Sequence, residues 1–137
     1  MNQRIEKLSD HQHLYEFLSY CMYPVHERIT KECDRYMIEP NRELYGIYTK
    51  SKLAGVIGLR NVELETEILH IAVHPDFRNK GLGSALIEQA ITLKAAQRIV
   101  VETDHDAVTF YKKNGFTINS LGEKYPGVER FKCVFAN

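Results

Sequence analysis

The sequence predicts an α/β (α+β) fold, a mixed, mostly antiparallel central sheet with helices on both faces. Three observations point there. Apolar residues recur at helical spacing in the first quarter of the chain and again after Gly81. Runs of apolar and β-branched residues bounded by turn residues fill the middle and the end. The resulting order is β, α, α, β, β, β, α, β, α, β, β, with no internal repeat or linker-like stretch, so residues 1–137 read as one domain.

A short strand near Arg4–Leu8 opens the chain, and Ser9-Asp10 supply helix N-caps. The spacing of Leu14, Phe17, Leu18 and Cys21 predicts a helix over His11–Met22. Pro24 punctuates, and a second helix carries Val25, Ile29 and Cys33 on one face to about Tyr36. Leu44–Tyr48 and Leu53–Leu59, joined by the polar turn Thr49-Lys50-Ser51-Lys52, read as a β-hairpin. Glu67–Val73 is a further strand. Leu82, Leu86, Ala90 and Leu93 mark the stripe of a helix over about Lys80–Gln97. Arg98–Thr103, with Ile99-Val100-Val101, is a buried strand. A short helix over His105–Lys113 stops at the C-cap signal Asn114-Gly115. Two strands, Phe116–Leu121 and Val128–Phe135, close the chain around the turn Tyr125-Pro126-Gly127.

Composition narrows the function. The chain's 137 residues suffice to remove about 68% of the unfolded surface from water. Its 18 basic and 18 acidic residues cancel, so the basic excess of a general nucleic-acid binder is missing. No run reaches the ~20 apolar residues of a membrane span, and Met1–Glu6 has no apolar signal core. The three cysteines, Cys21, Cys33 and Cys133, are widely spaced and form no metal-ligand pattern with histidine. A cytoplasmic protein without metal is expected, with neither nucleic acid nor membrane as partner.

The segment Ile68–Leu86 carries the chemistry. It reads as strand, turn, glycine-bearing loop and helix. A helix N-terminus presents unpaired N–H donors and roughly +0.5 of an elementary charge, which suits phosphate. Gly81 and Gly83 let an anion approach the main chain, and Arg78 and Lys80 add positive charge. The segment matches neither the Walker pattern GxxxxGK nor the dinucleotide fingerprint GxGxxG, because Leu86 stands where the last glycine is needed.

Arg78-Asn79-Lys80-Gly81-Leu82-Gly83 instead resembles the R/Q-x-x-G-x-G/A pyrophosphate loop of the GNAT superfamily of N-acetyltransferases. Ile71-Ala72-Val73-His74-Pro75 and the run Asp106–Phe116 resemble that family too, and the element order matches over nearly the whole chain. The resemblance implies acetyl-CoA as acyl donor, lying between splayed strands Glu67–Val73 and Arg98–Thr103. The coenzyme would meet Ile71, Ala72 and Val73 through its pantetheine arm, and Arg78, Asn79, Lys80, Gly81, Leu82, Gly83 and Ser84 through its pyrophosphate. A primary amine, on a small molecule or a protein, would attack the thioester directly. A non-catalytic acyl-CoA-binding module on the same fold is the alternative. Family analogy also allows a homodimer.

Each chemical need has a candidate. The Val73 N–H is the family-like donor to the oxyanion. Tyr111 stands in the position of the acid that protonates the leaving thiolate, against the competing reading of a packed aromatic. An attacking amine with a pKa near ~10.4 must lose a proton, and Glu67 and Glu102 on the flanking strands are the base candidates. Each can equally be a solvated or paired carboxylate. His70 reads as a base or a packed histidine, and His74 as structural. The resemblance also puts Tyr111 and Asp104 against the cofactor; Asp104 replaces an asparagine that often bonds the cofactor arm in the family and, when ionised, accepts but cannot donate. Tyr20, Tyr23, His26, Glu27 and Arg28, in the region that builds the acceptor wall of such enzymes, show no clear charge preference, so the amine stays open.

Overall fold

A computed structural model describes residues 3–9, 11–95 and 97–136. Its strands are β1 (Gln3–Lys7), β2 (Arg42–Thr49), β3 (Lys52–Val62), β4 (Glu65–Val73), β5 (Arg98–Asp104), β6 (Thr117–Tyr125) and β7 (Val128–Phe135). Its helices are α1 (Leu14–Ser19), α2 (His26–Ile38), α3 (Leu82–Leu93) and α4 (Val108–Lys113). The strands form one sheet in the order β1-β2-β3-β4-β5-β7-β6. Every neighbouring pair is antiparallel except β4 with β5. The expected mixed sheet is therefore present, with helices on both faces.

Two apolar clusters divide at the sheet. On one face Leu82, Leu86, Ile87 and Ala90 of α3 pack with Tyr111 of α4 against Ile57, Leu59, Ile68, Ile99 and Val101. On the other, Leu14, Phe17 and Leu18 of α1 and Ile29 and Tyr36 of α2 pack against Leu44, Val56 and Ala72. β3 and β4 feed both clusters, Ala54, Ile57, Leu59 and Ile68 one and Val56 and Ala72 the other, with register shifts at Ile47/Tyr48 and Gly58/Leu59 interrupting strict alternation.

Several boundaries differ from the sequence reading. The first helix shrinks from His11–Met22 to six residues, and His13 precedes it without a side-chain cap. The Ser9-Asp10 cap cannot be placed, because Asp10 lies outside the described residues. The third helix starts at Leu82, since Gly81 at φ +78° is left-handed and cannot continue helical backbone, and it stops at Leu93. β6 runs on to Tyr125 although it is exposed over most of its length, so no apolar alternation announced its second half.

Gly58 of β3 explains how α2 sits. A Cβ built there would stand 1.7 Å from the Tyr36 hydroxyl, so only glycine lets this tyrosine lie on the sheet. Gly58→Ala is expected to destabilise the protein by about 1–3 kcal/mol through overpacking, read as a lowered melting temperature. A wild-type melting curve would contradict this contact.

Candidate active site

The site lies where two neighbouring strands stop pairing. β4 and β5 are in register only at Glu65–Arg98, Thr66–Ile99 and Glu67–Val100. Beyond that point β4 stays with β3 up to Val73–Gly55, and β5 stays with β7 up to Asp104–Arg130. Each strand follows its outer neighbour, and the two part toward their C-terminal ends. The gap has a volume of about 300 Å³. Ile68–Ile71, Val101–Asp104, Ala107, Tyr111, Arg130 and Cys21 line it.

The open side of β4 presents main chain to this gap. The His74 N–H donates to Ala54 O at 2.8 Å. Strand alternation then turns the polar groups of Val73 and Ile71 away from β3, toward the parted side. The Val73 carbonyl accepts from Arg78 Nε at 3.0 Å. Ala72 contributes differently, because its side chain is buried in the α1–α2 cluster.

The loop beyond β4 enters α3 through two left-handed residues, Asn79 at φ +62° and Gly81 at φ +78°. No side chain caps this helix. The Ala85 N–H bonds Gly81 O at 3.0 Å, so the N–H groups of Leu82, Gly83 and Ser84 precede the first i→i−4 bond of the helix. A Cβ at Gly81 would meet nothing within 4 Å, so the space beside the entrance is open. Gly83 has a packing role that the sequence did not reveal. A Cβ there would stand 3.3 Å from the Phe110 ring, so this glycine also lets α4 approach α3. The charges of the loop are exposed but fold back on their neighbours. Arg78, besides bonding Val73, lies 5.8 Å from the Tyr20 ring centroid, and Lys80 Nζ lies 5.8 Å from that of Phe77.

Tyr111 is only 4% exposed and packs edge-on between Phe110 and Phe116. Its hydroxyl makes no hydrogen bond with any described residue, yet it is not sealed from the gap. Burial raises its pKa, with smaller contributions from Cys133, Cys21 and Asp104, so the phenol stays protonated at neutral pH.

The two carboxylates expected as bases are both engaged. Glu67 sits in the zipped stretch of β4, pairs with Arg60 and is not among the residues lining the gap. Glu102 does line the gap, but Lys124 Nζ reaches both its oxygens at 3.1 Å and Arg130 Nε reaches one at 3.2 Å. Burial pushes its pKa up, and these hydrogen bonds outweigh that effect and hold the carboxyl below its ordinary value. A carboxylate so stabilised is a weak base.

The other polar residues have local duties. Asp104 Oδ1 accepts from the Ala107 N–H at 3.0 Å and so fixes the approach to α4. His74 Nδ1 accepts from the Asp76 N–H at 3.0 Å, as a structural residue would. His70 Nδ1 shares a 2.7 Å hydrogen bond with the Tyr36 hydroxyl. Burial pushes its pKa down to about 4, so the ring is neutral at neutral pH. Sequence reasoning missed two titratable lining residues, Cys21 and Arg130. Cys21 reads as part of a helical stripe, whereas it lies beyond the end of α1. Arg130 reaches the gap only through its register with Asp104, which no local pattern signals.

A family model described as an acetyltransferase (GNAT) domain matches residues 40–118. A Bacillus subtilis (strain 168) protein named as a candidate alanine N-acetyltransferase of ribosomal protein bS18 is 33% identical over 79 residues, covering 53% of this chain and 52% of that protein. The peptidyl-lysine N-acetyltransferase YjaB of Salmonella typhimurium (strain LT2) is 39% identical over 61 residues, covering 39% and 42% respectively. The matches thus span about half or less of these curated relatives. A crystal structure of a Bacillus subtilis acetyltransferase in complex with CoA superposes with a TM-score of 0.75 at 23% identity, covering 98% of this chain and 99% of that one. At that identity the likeness concerns the fold.

Proposed function

Because the chain belongs to the GNAT acetyltransferase domain family, we propose that it transfers the acetyl group of acetyl-CoA to a primary amine by direct attack in a ternary complex. The observation that carries this reading is the parting of β4 and β5 beside Tyr111, next to an uncapped and open entrance to α3. The main-chain N–H groups of Asn79 to Ser84 would take the diphosphate, aided by the positive end of the helix. The polar groups of Ile71 and Val73 would take the pantetheine arm. The Val73 N–H would stabilise the developing oxyanion, and Tyr111 would give its proton to the departing sulfur.

The acceptor is a small-molecule or protein amine. The names of the two curated relatives, one for a protein alanine and one for peptidyl lysine, make alanine-initiated and lysine peptides the first acceptors to try. With Glu67 and Glu102 both ion-paired, the amine's proton would leave through water rather than to a free carboxylate. The free cysteines suit a reducing cytoplasm.

The absence of an unengaged carboxylate among the described lining residues favours one rival, an acyl-CoA-sensing module. A thiol-release assay with acetyl-CoA and a panel of alanine-initiated peptides, lysine peptides, polyamines and aminoglycosides separates the two. Release that depends on one class of amine supports transfer. Tight acetyl-CoA binding without release for any amine supports sensing. Preference for ATP over acetyl-CoA in competition would defeat both.

A further inference from the structure

Cys21 is the one cysteine that lines the gap, among the described residues. Its Sγ lies 3.6 Å from Leu18 O. The backbone of Ile71, on the open side of β4, faces this thiol and partly offsets the effect of burial on it. The residue as a whole is exposed, but its sulfur is part-buried against Leu18 O and the side chain lines the gap. The same space receives the Tyr111 hydroxyl, which belongs to a side chain more than nine-tenths buried and has no hydrogen-bond partner among the described residues. A thiol and an unpartnered acid therefore face one another across the place proposed above for the thioester.

We propose that Cys21 is a second acyl acceptor, taking the acetyl group from bound acetyl-CoA when no amine occupies the site. This rests on the acetyl-CoA reading above. A bond forms between Cys21 Sγ and the thioester carbonyl carbon, and the bond from that carbon to the coenzyme sulfur breaks. The Cys21 thiol first loses its proton to water, Tyr111 gives its proton to the departing sulfur, and the phenolate is reprotonated from water. One thioester replaces another, so no oxidant or further reactant is needed. The acetylated side chain then fills the gap that the pantetheine arm requires, which makes the adduct a brake on an enzyme without its acceptor.

The thiol's environment sets the pace. Burial pushes Cys21 up to about 11, so only about 10⁻⁴ of it is thiolate at pH 7. Held against the carbonyl, a nucleophile gains an effective molarity of ~10⁵–10⁸ M, which more than offsets that fraction. The adduct should thus form about tenfold faster per pH unit between pH 7 and 9. The titratable and charged groups facing this space are Tyr36 from α2, His70 from β4, Glu102 and Asp104 from β5, Tyr111 from α4 and Arg130 from β7.

The experiment is intact-mass spectrometry of the whole protein incubated with acetyl-CoA and no amine. One acetyl group is expected on the Cys21 peptide, removable by hydroxylamine as a thioester and absent in Cys21→Ala. Cys33→Ala and Cys133→Ala should keep the adduct. A cooperative melting transition in Cys21→Ala close to that of the wild type separates loss of the acceptor from loss of the fold. An unmodified Cys21 in a protein that binds acetyl-CoA and acetylates an amine overturns the proposal and leaves the transfer reading standing. An adduct that persists in Cys21→Ala also overturns it. Failure of the wild type to bind acetyl-CoA defeats both readings together.

Discussion

Replacing Tyr111 by phenylalanine is expected to cut acetyl transfer by about 10²–10⁴-fold while leaving acetyl-CoA affinity unchanged. The substitution removes one hydroxyl and nothing else of consequence. That hydroxyl bonds no described residue, so no partner is left unsatisfied. The ring keeps its edge-on contacts with Phe110 and Phe116 at centroid distances of 5.1 and 5.4 Å. Stability should therefore move by no more than about 0.5 kcal/mol. A thiolate with a pKa near ~8.5 is an adequate leaving group when neutralised as it departs, and the buried phenol is the group proposed above to do so. Burial raises the pKa of Tyr111, so its proton is present throughout the neutral range and the alkaline limb of the rate profile belongs to other groups. Steady-state kinetics decide the matter. A loss confined to kcat supports the acid role, and an unchanged kcat reduces Tyr111 to a packed aromatic.

The fold was readable because each core element carries its own period. The stripe Leu82, Leu86 and Ala90 and the apolar, β-branched run of β3 are local facts, and the structure buries Leu82, Leu86, Ala90, Val56, Ile57 and Leu59. The glycine-bearing loop between β4 and α3 was readable as a local pattern too, and Gly81 there takes a left-handed φ of +78°; the same φ sign at Asn79 had no signal in the sequence. What escaped was set by contacts between distant segments. Glu67 and Glu102 look alike on paper as strand carboxylates. Only the β3–β4 register puts Arg60 opposite Glu67, and only β7 and β6 bring Arg130 and Lys124 to Glu102. Gly83 answers to Phe110, 27 residues away in α4, as well as to any anion. The length of β6 was hidden because its outer half faces solvent and carries no pattern.

The largest effect on stability is expected from Arg42. Its side chain is 2% exposed, and its Nη1 lies 2.9 Å from Glu32 Oε1, its Nε 3.0 Å from Glu39 Oε1. The guanidinium also stacks 5.0 Å from the Tyr36 ring centroid. Arg42→Met keeps much of the volume but strands the Glu32 carboxylate, which is 19% exposed, and should destabilise the protein by about 3 kcal/mol. Arg35, whose Nη1 lies 3.2 Å from the other oxygen of Glu32, limits the loss toward the lower end of the usual range. The pH dependence identifies the cause. For Glu32, burial pushes the pKa up, but the hydrogen bond and charge of Arg42 outweigh it, so the folded value lies below the unfolded one. Its contribution is therefore full above the ordinary carboxylate range and fades as pH falls through the depressed folded value. The difference in stability between wild type and Arg42→Met should accordingly narrow as pH drops from 7 toward 3, and chemical denaturation at several pH values measures it. The double variant Arg42→Met/Glu32→Leu should recover much of the loss, because no buried charge is then left alone. A gap that stays constant with pH would mean that Arg42 acts through packing on Tyr36, and hence through the wall that holds His70 at the gap, rather than through its charge.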